Sequence, residues 1–393
     1  MKYLAVLGRQ PQISLAELES LFSNVRHFST GLATFTAENA DINRLGGTIK
    51  LAAKLDEKPL DYLKSLPDGK ITIGVSDYSS KASPRSAKSE ALKLKQILVR
   101  HGRSVRVVES KDAVLSTATS LHNGLSGKNE RKCELIKTNT EWYRVVGVQD
   151  IDAYAKRDQA RPARDAKVGM LPPKLAQILI NLCGPLPAGA RILDPFCGTG
   201  VLLQEALLMG YSAYGTDISE KMVKYSEKNL EWFSREHCAR NELPKANQRG
   251  ACAASPVTTG ASVARSRENS FQVSVGDATS YKWQPIDAVA CEGYLGAPMS
   301  KPPAEIKLKE QKQECGAIIL GFLKNLSPQI KPDTPVVIAV PAWLRPDGTY
   351  SRLEILDFIK DMGYNVKDIS REGLLYHRDD QIVARDIIIL RKN

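Results

Sequence analysis

The stretch RILDPFCGTGVLLQEALLMG, residues 191–210, constrains this chain more than any other. Its apolar start reads as a strand that ends in the carboxylate of Asp194. It then turns through Gly198 and Gly200 and enters an Ala- and Leu-rich helical pattern. A strand that turns tightly into a helix is where α/β folds hold a ligand. A phosphate loop needs Lys and then Ser or Thr after its last glycine, but Val201 stands there. A dinucleotide fingerprint needs a third glycine at position 203, which is Leu203.

What remains is Asp194, Gly198-Thr199-Gly200 and, seventeen residues past Gly200, Asp217 in AYGTDIS at the end of a second strand. A third acid, Asp277 in VSVGDAT, closes the next strand. Each part has a use for S-adenosylmethionine. Glycines admit the amino-acid part of that cofactor close to the backbone. Asp194 can reach its amino group, Asp217 can accept from both ribose hydroxyls, and Asp277 lies where the adenine amine would sit. One strand-end Asp would be an ordinary helix cap. Three on successive strands beside Gly-x-Gly point to the cofactor.

The rest of the chain frames this segment. At 393 residues and 42% hydrophobic, two or three domains are expected. KYLAVLG reads as a strand and SLAELESLF as a helix, with Ser14 and Glu17 at capping-box spacing. A strand near 31–37 and a helix near 42–55 capped by Asp41 should follow. KITIGVSDY reads as a strand, and SPRSAKSEALKLKQILVRHG as an amphipathic helix with Ala87, Ala91, Leu94, Ile97 and Leu98 on one stripe. SVRVVE and EWYRVVGVQ add strands, so this half reads as α+β and not as a parallel sheet. After the connector AKRDQARPARDAKVGMLPP the rhythm becomes strand–helix–strand. Strands are expected at 191–194, 211–216, 271–275, 286–291, 335–340, 364–370 and 381–390. Helices are expected at 173–182, 201–209, 219–236, 304–325 and 351–362. This is an α/β doubly wound domain of seven strands ending in an antiparallel pair. Residues 238–270, rich in Ala, Ser, Gly, Arg and Asn without apolar period, read as a mobile insertion.

Seven cysteines lie no closer than fourteen residues apart and five histidines are scattered, so no structural metal is expected. The opening apolar run is too short for a signal peptide, and no segment approaches a membrane span. A cytoplasmic protein without a membrane is expected. The charge is uneven: residues 1–165 carry 27 Lys and Arg against 19 Asp and Glu, while residues 166–393 carry 28 against 25. Between Tyr78 and Arg106 eight basic residues face one acid, Glu90. Lys81, Arg85, Lys88, Lys93, Lys95 and Arg100 are therefore candidates to meet a nucleic-acid backbone, the alternative being a solvated helix face.

The sequence also resembles a known family. DPFCGTG is similar to the glycine loop of class I amino-methyltransferases acting on nucleobases. RPARDAKVGMLPPKLAQILINL, YLAVLGRQPQISLAELESLF, VRVVES with LSTATSLHNGL, and VVGVQDIDAYAKRDQARP resemble blocks of the THUMP-containing tRNA guanosine N2-methyltransferases. The resemblance implies a ferredoxin-like domain over 1–60, a THUMP-like RNA-binding domain over 61–155, a linker over 156–172 and a Rossmann-like methyltransferase domain over 173–393. It implies S-adenosylmethionine held by Asp194, Cys197, Gly198, Thr199, Gly200, Asp217, Ile218, Asp277 and Ala278. It implies methylation of the N2 amine of a guanosine in the D-arm region of tRNA. A monomer or weak oligomer is expected, with an activating protein subunit left open.

The match breaks at the fourth strand, where the family has Asp-Pro-Pro-Tyr and this chain has DAVACEGYLGAP. By strand register Glu292 replaces the Asp, Gly293 the first Pro, and Tyr294 arrives one position early. Glu292 can still accept from an amine and Tyr294 can still stack on a base, while Gly293 should loosen the loop. Aligned on the aromatic instead, Cys291 takes the acid's place. Cys291 itself reads as a small buried strand residue, and His377 and Arg378 as a hairpin tip. A DNA or other RNA amino-methyltransferase, and a silent tRNA-binding protein that keeps the fold, stand as alternatives.

Overall fold

A computed structural model describes the chain except for residues 30, 166–169, 240–270, 368–372 and 380. The expected insertion therefore lies outside the described residues beyond Ala239, which closes the helix Glu220–Ala239. The chain forms two compact units, Met1–Ala155 and Lys156–Asn393. The division falls inside the helix Ile151–Gln159.

The first unit is built on one eight-stranded sheet. Its strands are β1 (Lys2–Leu7), β2 (Ser23–Ser29), β3 (Leu32–Thr36), β4 (Thr48–Lys54), β5 (Ile71–Asp77), β6 (Val105–Val108), β7 (Lys132–Lys137) and β8 (Trp142–Val148), in the order β2-β3-β1-β4-β8-β7-β5-β6. The sheet runs unbroken across residue 60, and Leu4 and Val6 share a buried cluster with Ile136, Tyr143 and Val145. Pairing is antiparallel except around β5, which is parallel to both β6 and β7. The sheet is therefore mixed and not a parallel sheet, as the α+β reading expected. β5 is buried at all seven positions, as a parallel strand covered on both faces must be.

Two local readings are corrected. The helix expected over 42–55 is a 3-10 turn, Ile42–Arg44, followed by β4. Asp41 does cap the turn, accepting from Asn43 N–H at 2.9 Å, but Gly46-Gly47 stop it and the sheet claims the next residues. Ser14 and Glu17 form no capping box, because the helix Pro11–Leu21 starts earlier and buries both. The Glu17 carboxylate instead accepts from Gly46 and Gly47 N–H at 2.9 and 2.8 Å. At the centre of the unit Lys50 Nζ lies 2.6 Å from Glu134 Oε1. Ser76 and Ser120 hydroxyls donate to the same carboxylate at 2.6 Å, so this buried charge pair is fully bonded.

The second unit carries a nine-stranded sheet: β9 (Arg191–Asp194), β10 (Ser212–Asp217), β11 (Phe271–Val275), β12 (Ala288–Glu292), β13 (Pro335–Leu344), β14 (Tyr350–Arg352), β15 (Tyr364–Val366), β16 (Leu374–Tyr376) and β17 (Val383–Lys392). Seven of them follow the path β11-β10-β9-β12-β13-β17-β15, with β14 beside β13 and β16 beside β17. β9 to β13 are parallel and β17 is antiparallel to its neighbours. The expected α/β fold with seven main strands and an antiparallel end is observed, with two short strands added. The expected helix over 351–362 is shorter, Leu356–Asp361, because β14 takes Tyr350–Arg352. The helix Glu305–Leu326 covers one face, burying Cys315, Ile319, Phe322, Leu323 and Leu326 against the sheet.

Candidate active site

The strand order reverses between β9 and β12, and a doubly wound sheet opens its ligand crevice at the carboxyl ends beside such a point. Four acids stand there on four neighbouring strands. Asp194 ends β9, Asp217 ends β10, Asp277 follows β11 by two residues, and Glu292 ends β12. Asp194 is buried, and burial raises its carboxyl well above the ordinary range. The Phe196 N–H it accepts at 3.1 Å opposes this, while the negative charges of Asp217 and Glu292 reinforce it.

The glycine loop is held from below and open above. Gly198 N–H donates to Asp217 Oδ2 at 2.9 Å, while Ser219 N–H donates to Oδ1 at 2.9 Å. Gly198 has φ +51° and Gly200 +81°, the left-handed region that glycine enters without cost. At Gly200 a Cβ would stand 2.4 Å from Ser226 Oγ, so the helix behind leaves it no room. At Gly198 the nearest atom to a Cβ would be Phe196 O at 4.0 Å, leaving open space for a ligand against the backbone. Cys197 is buried beneath the loop: a Cβ at Gly215 would lie 3.0 Å from its Sγ. Burial, with Asp194 and Asp217 near, raises its thiol well above the usual range. Its side chain therefore supports the loop from the core.

The neighbouring strand ends carry exposed apolar side chains. Ile218, directly after Asp217, is 72% exposed, and Val275, paired with Asp217 in register, is 49% exposed. Large apolar side chains left in water beside a carboxylate suit a flat base whose sugar hydroxyls that carboxylate accepts. Asp277 is exposed and turned back on its own chain, accepting from Thr279 N–H and Oγ1 at 2.8 Å each, which lowers its carboxyl. Ala278 is buried and its carbonyl accepts from Asn325.

Several residues around the loop were not among the sequence's site candidates. Arg161 donates through Nη1 to Thr199 Oγ1 at 3.2 Å. Asn229 donates to Thr199 and Ala163 carbonyls at 2.9 Å and accepts from Ala163 N–H. Arg157 Nε lies 2.6 Å from the buried Glu205 on the helix that follows the loop. Arg157, Arg161 and Ala163, within the stretch 156–172 expected as a linker, make these contacts.

At the fourth strand Glu292 Oε1 accepts from Arg385 Nε at 2.8 Å, and Arg385 in turn donates to Gln381 Oε1 at 2.9 Å. Gly293 does not loosen the loop, because its N–H donates to Ala339 O at 2.9 Å. A proline there would have no hydrogen to donate. Tyr294 is half-buried, and its hydroxyl donates to Glu314 Oε1 at 3.0 Å. Cys291 is fully buried, as its reading as a core residue required. His377 and Arg378 lie between β16 and β17, with the His377 ring 5.5 Å from that of Tyr350.

In the first unit the basic stretch forms the helix Pro84–Arg100, capped by Ser83 and Ser86. Lys81, Arg85, Lys88, Lys93 and Arg100 are exposed and Lys95 is half-exposed. Lys88 pairs with Glu109 at 2.7 Å and Lys93 with Glu90 at 3.6 Å. Exposed pairs of this kind are weak and exchange readily for other anions. Among the described residues no His, Cys, Asp or Glu group could hold a metal ion, and no helix is long and apolar enough to cross a membrane.

Residues 161–342 match the family model described as RMKL-like, methyltransferase domain. The chain is similar to the tRNA (guanine(10)-N2)-dimethyltransferase of Methanothermobacter thermautotrophicus, 47% identical over 78 residues, which are 19% of this chain and 23% of that protein. It is 28% identical over 176 residues to the enzyme of that name from Methanocaldococcus jannaschii, covering 44% of this chain and 49% of that one. The chain thus spans about half or less of the length of these relatives. The crystal structure of TrmN from Thermus thermophilus aligns over 100% of both chains, with 17% identity and a TM-score of 0.45.

Proposed function

We propose that the chain is an S-adenosylmethionine-dependent tRNA methyltransferase acting on the exocyclic N2 amine of a guanosine in the D-arm region. The observation that carries the reading is the open glycine loop ringed by carboxylates, within a matched methyltransferase domain. A methyl sulfonium with a free ammonium is a cation, and Asp217, with Asp194 once its proton is expelled, would offer it negative charge. The relatives' names supply the tRNA guanine amine. The basic helix Pro84–Arg100 supplies a surface for the RNA backbone, in a first unit that we divide into 1–60 and 61–155.

When bound, the cofactor supplies an electrophilic methyl group. Asp217 would hold its ribose, Gly198–Gly200 its amino-acid part, and Ile218 its base. Glu292 Oε2, which has no hydrogen-bond partner among the described residues, is the acceptor for the substrate amine. That bond would turn the nitrogen lone pair toward the methyl group, whose bond to the sulfonium sulfur breaks as the new one to nitrogen forms, and the amine proton would pass to Glu292 Oε2 and on to water. Tyr294 lies two residues on, where its ring can face the base.

Incubation of unmodified tRNA with methyl-labelled cofactor, followed by nucleoside analysis, tests the reading. Labelled N2-methylguanosine is expected from the wild type and its loss from Asp217→Ala. Tight cofactor binding with no transfer to any RNA would instead establish the silent tRNA-binding protein. The Arg385 contact, which occupies one oxygen of Glu292, is the observation that favours that rival.

A further inference from the structure

We infer that Arg385 is the positioning residue for Glu292, replacing through an ion pair the rigidity that a proline after the acid would give; this rests on the proposed methyl transfer at Glu292. Glu292 closes β12, opposite Ala339 on β13. Arg385 sits on β17, opposite Pro341 on β13 and Tyr376 on β16. It is therefore fixed on both sides by strands before it reaches the acid across β13. Its side chain is 4% exposed and that of Glu292 is 15% exposed. Both groups are largely out of water, where an ion pair holds its geometry better than on the surface.

Two contacts fix Glu292, one at its carboxylate and one in the backbone that follows it. Arg385 Nε takes Oε1, the Gly293 N–H to Ala339 O bond fixes the backbone after it, and Oε2 remains for the substrate. Gln381 Oε1 accepts from Arg385 Nη1 and sets the plane of the guanidinium. A Cβ at residue 293 would lie 3.2 Å from Ile338 Cδ1 and 3.4 Å from Ala339 O. The turn is thus packed for a glycine that donates its N–H. A strand end built this way has exchanged local backbone stiffness for a tether 93 residues distant. Lysine cannot reproduce the tether fully, because it lacks a planar fork and a donor at the Nε position.

Single-turnover methyl transfer to unmodified tRNA at saturating cofactor separates positioning from mere folding. Wild type, Arg385→Gln, Arg385→Lys, Glu292→Gln and the double variant Glu292→Gln/Arg385→Gln are compared. Arg385→Gln should lower the rate roughly 10²-fold, the scale for a displaced reacting group, with the KM for tRNA and the cofactor Kd unchanged. Arg385→Lys should recover part of that loss. The double variant should be no slower than Glu292→Gln, because a residue acting only through another adds nothing once that one is gone. Thermal melts follow each protein; if Arg385→Gln alone fails to fold, Arg385→Lys and the double variant carry the comparison. A wild-type rate in Arg385→Gln, or losses that multiply in the double variant, overturns the positioning role while leaving the proposed function standing. No transfer by the wild type overturns both.

Discussion

Gly200→Ala tests whether the glycine loop is held as rigidly as its geometry requires. Two separable effects oppose the added methyl. The residue caps the helix Val201–Leu208 at φ +81°, and a residue with a Cβ there costs about 1–2 kcal/mol. The new Cβ would also stand 2.4 Å from Ser226 Oγ and 3.3 Å from Ser226 Cα. Ser226 is fully buried on the helix Glu220–Ala239, so it cannot swing into solvent. Overpacking at such a site costs about 1–3 kcal/mol, giving about 2–5 kcal/mol in all. Adding Ser226→Ala removes the hydroxyl but neither the helix backbone nor the strained φ. The double variant should therefore regain a fraction of the loss and stay about 1–2 kcal/mol below Ser226→Ala alone. Urea midpoints at constant slope measure both, and calorimetry with S-adenosylmethionine follows the site. A cost below about 1 kcal/mol for Gly200→Ala, or no recovery with Ser226→Ala, refutes this account of the loop.

Reversing Lys88, Lys93 and Lys95 to Glu should weaken tRNA binding and flatten its salt dependence while leaving cofactor affinity alone; an unchanged slope would make the helix face solvated surface. Burial, with Asp217 and Glu292 adding, raises the Asp194 carboxyl well above its ordinary range, so a bound cation should expel its proton. Cofactor affinity should then rise with pH, and calorimetry in buffers of different ionisation heat should show proton release; heats independent of buffer would remove Asp194 from the site. Burial pushes Glu141 up, but hydrogen bonds from Lys2, Lys54 and Tyr143 outweigh it and hold the carboxyl at about 2, below its ordinary 4.5. Its contribution to stability is thus present above pH 4.5 and lost as pH falls towards about 2, so the gap in urea midpoint between wild type and Glu141→Gln should close over that window.

The sequence showed the second unit better than the first, and the reason is periodicity. In the second unit each parallel strand is a short apolar run followed by its own helix, so local pattern and tertiary structure agree. The first unit sets them against each other at Thr48–Lys54. Its KLAAK stretch has the propensity of a helix, yet β1 and β8 flank it and buried Leu51 and Ala53 pack within the sheet. Pairing with two neighbouring strands outweighs propensities of a few tenths of a kcal/mol per residue. Glu17 failed in the same way. Three-residue spacing from a serine is all a capping box requires in sequence, but the acid's partners are Gly46 and Gly47, about thirty residues on.

The site divides along the same line. Its carboxylates were legible because each ends a strand, and strand ends are local features. The groups that brace the loop and hold Glu292 were not, because each of them arrives from far along the chain. Arg161 reaches Thr199 across 38 residues, Asn229 reaches its carbonyl across 30, and Arg385 reaches Glu292 across 93. Gly293 makes the consequence concrete. From sequence alone, glycine for proline after the acid meant a freer backbone and a weakened site. The fold answers the first part of that inference, since the glycine's N–H is bonded to β13 and the acid is bonded to Arg385 on β17. A departure from a local motif thus says little about activity until the distant residues that compensate for it are known. Here the residue proposed to compensate lies on β17, antiparallel to β13 and two strands away from the acid it contacts.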